Sequence, residues 1–181
     1  MHHPKPLLLL ACLPLLLALG GCATPVEPVH YAKELPTLDL KQYFNGTLDA
    51  NGMFQDRAGT VIKRFAVVMT GTWKGDVGTL DEDFTYSDGT KQRRVWTLRK
   101  TGTDSYVGTA ADVVGQAEGV VAGNALRWRY TLALPVDGKV IDVRMEDWMY
   151  LMSDQVMLNR AAMSKYGFHV GDVTLSFTKR K

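Results

Sequence analysis

From Leu38 onward, apolar and polar residues alternate one by one in short runs broken by glycine-bearing turns. A period of two belongs to strands with one buried and one wet face, whereas apolar positions on a helix recur every three to four residues. Phe44 to Phe54 forms one such run, and Val61 to Trp73 another, with Phe65, Val67 and Met69 on one face. Leu80, Phe84 and Tyr86 share a face before the turn at Asp88-Gly89. Arg93 to Arg99, Ser105 to Val113 and Ala125 to Leu134 follow. In the last of these, Leu126, Trp128, Tyr130, Leu132 and Leu134 alternate with Arg127, Arg129 and Thr131. Asp137-Gly138 leads into Val140 to Met152, and Gln155 to Met163 and Val170 to Lys179 complete the series. Asp-Gly between alternating runs is a hairpin signal. About nine or ten strands result, in one all-β antiparallel domain over residues 38–181, with no long stretch of helical period.

A sheet built from successive hairpins has two open edges, which invite aggregation, and closure into a barrel removes them. A lipocalin-like up-and-down barrel is therefore the expected architecture. A two-sheet sandwich or a curved open sheet gives similar periodicity and stays open at this level. A barrel of this strand number can enclose a small ligand, so the inward faces are the place to look for function.

The N-terminal pattern is different. Lys5 precedes an apolar stretch from Leu7 to Leu19, shorter than the roughly 20 residues a spanning helix needs and of signal-peptide length. Leu19-Gly20-Gly21-Cys22 resembles the lipobox of lipoprotein precursors: an aliphatic residue, two small ones, then the cysteine that is acylated. The expectation is a signal peptide over residues 1–21 and lipidation of Cys22. Two or three acyl chains hold a protein stably on its membrane, where one holds only marginally. Ala23 at the following position implies sorting to the outer membrane, facing the periplasm. Residues 22–37, with Pro25, Pro28 and Pro36 and few large apolar groups, read as an extended tether.

Composition adds bounds. The mature chain is the size of one domain with a full core. The formal charge is +2, or +1 without Lys5, so electrostatics give no argument for a nucleic-acid partner. Of the two cysteines, Cys12 would leave with the signal and Cys22 would be acylated, so no disulfide is expected.

Interior positions carry the candidate chemistry. On Val140 to Met152 the odd positions are Ile141, Val143, Met145, Asp147, Met149 and Leu151, which puts one carboxylate on an apolar face. An unpaired buried charge is too costly to stand alone. Partners for Asp147 are sought in Asn159, Arg160, Arg64 and Arg94, and Glu82 between Leu80 and Phe84 poses the same question. These groups either form satisfied structural pairs, or turn to solvent at a bulge, or make a polar patch for a ligand headgroup. An arginine there would suit a carboxylate or phosphate. With Trp96, Trp128 and Tyr130 as aromatic walls, Arg64, Glu82, Arg94, Asp147, Asn159 and Arg160 form the candidate pocket.

Other chemistry is thin. His30 and His169 are the only histidines beyond the signal, no G-x-S-x-G elbow is present, and no metal-ligand spacing occurs. No cofactor or metal is expected, and Asp81, Glu82 and Asp83 alternate between faces rather than sharing a cation. Asp56 and Arg57 read as a solvated loop pair, and Met163 to His169 as a loop whose aromatics pack locally.

Phe54-Gln55-Asp56-Arg57, Arg64-Phe65, Gly71-Thr72-Trp73, Asp147-Trp148-Met149 and Asn159-Arg160, behind a lipobox, resemble a family of proteobacterial lipoproteins catalogued only as a domain of unknown function. The resemblance implies a lipocalin-like envelope domain and brings no reaction, ligand or catalytic residue with it. Genes of this kind occur near cyclopropane-fatty-acid synthesis genes, which points toward lipid. The leading expectation is a membrane-tethered barrel that binds a small amphipathic or lipid ligand, such as a fatty acid, without catalysis. The alternatives are a structural lipoprotein that binds an envelope protein, and a lipid-modifying enzyme with Asp147 or Glu82 as acid or base.

Overall fold

The computed structural model describes residues 25–136 and 138–181. Cys22, Ala23 and the expected signal peptide lie outside the described residues, as does Asp137 of the second Asp-Gly turn. The strands are β1 (Gly46–Asp56), β2 (Val61–Lys74), β3 (Val77–Tyr86), β4 (Lys91–Lys100), β5 (Ser105–Thr109), β6 (Ala117–Ala122), β7 (Ala125–Val136), β8 (Lys139–Leu151), β9 (Val156–Lys165) and β10 (Phe168–Lys179). Each pairs antiparallel with its sequence neighbours, and β10 pairs with β1 from Lys179 opposite Leu48 to Gly171 opposite Asp56. The barrel is closed, lipocalin-like and strictly up-and-down, so the sandwich and open-sheet alternatives fall away.

The alternation read from the sequence is the alternation of burial. On β8, Val143, Met145, Asp147 and Leu151 are buried and the even positions from 140 to 146 are exposed. One strand escapes that reading. β6 presents Ala117, Gly119 and Val121 inward, and two of the three are too small to register as an apolar face. Gly119 is small because the Trp128 indole lies over it: a Cβ there would stand 2.1 Å from Trp128 Cε3, and one on Gly108 of β5 2.6 Å from Cζ2. β5 also ends at Thr109 rather than Val113, and the loop that follows runs beside β7, where the Ala133 amide donates to the Asp112 carbonyl.

The two ends of the barrel differ. One is plugged by a single turn of helix, α1 (Leu40–Tyr43), whose N-cap Asp39 accepts from the Gln42 amide at 2.9 Å. Leu40, Tyr43 and Phe44 are buried, and the Phe44 carbonyl lies against Gly71, where a Cβ would come within 1.6 Å of it. Phe44 thus belongs to the plug rather than to the first strand. The opposite end, the mouth, is ringed by the β1–β2, β3–β4, β5–β6, β7–β8 and β9–β10 connections.

The expected tether is docked along much of its length. A 3₁₀ turn (Pro28–Tyr31) lies on the outer wall: Glu27 takes a hydrogen bond from Arg127 at 2.8 Å, and Tyr31 meets Trp148 and Tyr150 edge-on at 5.6 and 5.3 Å. The Leu38 amide then donates to the Gly123 carbonyl at 2.8 Å. Two aromatics on the outward face of β8 give the segment apolar surface to cover, which its own proline-bearing composition does not reveal.

Candidate ligand cavity

Alternation on four strands aims one polar side chain each into the barrel: Glu82 from β3, Arg94 from β4, Asp147 from β8 and Asn159 from β9. Glu82 and Arg94 stand directly opposite each other in the β3–β4 register. They share a cavity of about 130 Å³ whose remaining wall is mainly apolar and aromatic, including Phe65, Phe84, Trp96, Trp128 and Tyr130. Trp96 meets Trp128 and Tyr130 edge-on at 5.9 and 5.4 Å, which holds the three rings as one wall. That volume is of the order that accommodates a benzene-sized ring.

Neither acid is fully compensated. Asp147, 6% exposed, takes a hydrogen bond from Asn159 Nδ2, which also donates to the Trp148 carbonyl at 3.0 Å. Arg94 turns instead to Asp112 in the β5–β6 loop, its Nη2 at 2.6 Å and its Nε at 2.9 Å from Oδ2. Glu82, 8% exposed, lines the cavity with no ion-pair partner among the described residues. Burial, opposed by Arg94 and reinforced by Asp112 and Asp147, pushes the Glu82 carboxyl up to about 7. Burial raises Asp147 likewise to about 7, against the hydrogen bond from Asn159 and the charge of Arg94. Burial also holds the Tyr130 hydroxyl well above its usual range.

Seven of the nine expected pocket residues therefore converge on one cavity: Glu82, Arg94, Trp96, Trp128, Tyr130, Asp147 and Asn159. The other two do not. Arg64 precedes the inward Phe65 on β2 and so points outward, exposed; Arg160 follows the inward Asn159 and pairs at 3.3 Å with Asp172 on the outer wall. Period two forbids adjacent residues of a regular strand from sharing a face, so neither arginine reaches Asp147. Asp112 was missed because a loop residue carries no phase to read, and its partnership with Arg94 is a tertiary event. Tyr166 and Phe168 do not pack as expected: they are 87% and 72% exposed at the β9–β10 turn. Asp56 caps its own turn, accepting from the Ala58 and Thr60 amides at 2.9 Å, while Arg57 is exposed.

Residues 16–179 match the family described as Protein of unknown function (DUF3833). The chain belongs to that family. No curated protein matches this chain in sequence. Among solved structures, the barrel is similar to an S-type phycobiliprotein lyase from Guillardia theta, at 9% identity and a TM-score of 0.58, over 87% of this chain and 99% of that one. It is also similar to a protein of unknown function from the DUF3598 family of Nostoc punctiforme PCC 73102, at 9% identity and a TM-score of 0.55, over 81% of this chain and 51% of that one. At such identity the likeness is one of fold. For this DUF3833 chain, the chemistry has to be read from its own cavity.

Proposed function

We propose that this protein is an envelope lipoprotein, held by acyl chains on Cys22 at the outer membrane and facing the periplasm, whose barrel binds a small amphipathic ligand without transforming it. One observation carries the binding part: a mainly apolar cavity of about 130 Å³ into which Glu82, Arg94, Asp147 and Asn159 project from four strands. Ligand sites are apolar concavities with a few convergent polar groups, and burying polar groups beside an empty volume is a poor way to build a core. The volume suits a ring or a short acyl segment rather than a whole long-chain fatty acid. The lipobox at Leu19 to Cys22 supports the anchor.

Two measurements test the reading on the full chain purified from membranes. Intact mass before and after acyl-ester hydrolysis should show loss of residues 1–21 and lipid on Cys22, and Cys22→Ala should abolish that modification. Native mass spectrometry with solvent extraction should release a small molecule of constant mass; a barrel that stays empty, and whose cavity admits no small aromatic probe, would refute the binding role.

A second reading, attachment to an envelope protein, draws on the mouth. Ile62, Val140, Tyr166 and Phe168 are exposed there, on three hairpins that are neighbours around the rim. In-cell crosslinking from these positions to one specific protein, lost on Tyr166→Ser and Phe168→Ser but kept on cavity substitution, would favour it.

A further inference from the structure

The charges around the cavity do not match the anionic ligand that an interior arginine first suggests. Among the described residues Arg94 is the single cation of the cavity lining, and it is already engaged by Asp112 through two nitrogens. That leaves two further acids, Glu82 and Asp147, with no cation of their own. We propose that the cavity recognises the protonated amine of a small amphipathic ligand, with Glu82 and Asp147 as its counter-charges and Trp96, Trp128 and Tyr130 as the wall around its apolar body. The inference rests on the ligand-cavity reading above and adds the sign of the headgroup.

Three observations support it. Glu82 is buried, faces the cavity and lacks an ion-pair partner, so it is a ready acceptor for an ammonium N–H. Asp147 approaches from the far side of the barrel with its orientation fixed by Asn159. The walls present aromatic rings, whose faces attract cations most strongly when water is excluded, and the Arg94 guanidinium already lies 5.5 Å from the centre of the Phe84 ring. A carboxylate or phosphate in the same volume would face two buried acids and an arginine whose charge Asp112 has neutralised. Its entry would require breaking that pair, which is costly for a desolvated partner left behind.

The charge of the site follows pH. The groups facing Glu82 and Asp147 are Arg94 from β4, Asp112 from the β5–β6 loop, Tyr130 from β7 and Asn159 from β9. Within the neutral range the titrating members are Glu82 and Asp147 themselves. Affinity for an amine should therefore rise as pH rises through neutrality, because the cation binds the ionised acids.

Benzylamine, benzyl alcohol and benzoate have nearly one shape and three headgroups, and fit the cavity's size. Titrated into the full chain in non-ionic detergent and followed by calorimetry, benzylamine should bind at least about tenfold more tightly than either of the others. Its affinity should increase between about pH 6 and about pH 8, where the amine stays protonated. Glu82→Gln and Asp147→Asn should each erase most of the preference while near-ultraviolet circular dichroism shows the fold intact. Should either substitution unfold the barrel, the comparison of three probes on the unaltered protein still decides. Benzoate or benzyl alcohol binding as tightly as benzylamine, or an amine affinity that falls with pH, overturns the amine assignment and leaves the ligand cavity standing. Failure of all three probes to bind folded protein overturns both.

Discussion

A carboxyl group removed from water keeps its proton to higher pH, since burial penalises the ionised form. Burial is the largest cause at Glu82, whose carboxyl stands at about 7 against an ordinary 4.5. Between those values the folded chain holds a proton that the unfolded chain has released, so stability is greatest below about pH 4.5 for this group and is lost as pH rises through about 7. The loss is on the order of 3 kcal/mol, at about 1.36 kcal/mol per unit of pKa. Glu82→Gln, which has no charge to bury, should match the parent near pH 5 and exceed it in melting temperature near pH 8. Equal melting temperatures at both pH values would contradict the assignment. Asp88, held below the usual carboxylate range by the Thr90 hydroxyl and then Lys63, and Asp81 and Asp49, held there by Arg93 and Arg180, act with the opposite sign and only in acid. At this scale Glu82 and Asp147 were legible in the sequence as polar residues in an apolar phase. Arg64 and Arg160 were misplaced in the pocket, although each adjoins an inward residue and so faces outward.

Among the elements, the short strands β5 and β6 depend on contacts between strands. Gly108 and Gly119 leave the space that the Trp128 indole fills, so a side chain there overpacks a closed wall. Gly119→Ala should cost about 1–3 kcal/mol in chemical denaturation and alter the near-ultraviolet dichroism of the tryptophans; an unchanged midpoint would show that Trp128 moves freely. The docked N-terminal segment has a different dependence. Its hold on the wall comes from Tyr31 against Trp148 and Tyr150 and from Glu27 on Arg127. Tyr31→Ala removes two edge-on aromatic contacts, worth about 0.5–1.5 kcal/mol each, and should speed tryptic cleavage after Lys33 while the barrel's own melting temperature changes little. Equal cleavage rates would mean that the Leu38 amide on the Gly123 carbonyl and the Arg127 hydrogen bond to Glu27 hold the segment without Tyr31. Nothing in the local sequence announces this docking, because the segment's partners lie about a hundred residues away.

For the molecule as a whole, closure joins the two levels. The sequence by itself determined every strand but β6, the two faces of nearly every strand and the interior phase of Glu82, Arg94, Trp96, Trp128, Tyr130, Asp147 and Asn159. It could do so because side chains alternate strictly along a strand, and a half-buried sheet must show that alternation as composition. The stretch Leu19-Gly20-Gly21-Cys22, which resembles a lipobox, is likewise a linear pattern that is read linearly. Only the tertiary structure decided that β1 pairs with β10, that α1 plugs one end, and that Arg94 is spent on Asp112. These depend on distances between residues far apart in the chain, which periodicity does not encode. The same is true of the cavity, which exists because closure brings β3, β4, β8 and β9 around one space that their side chains do not fill.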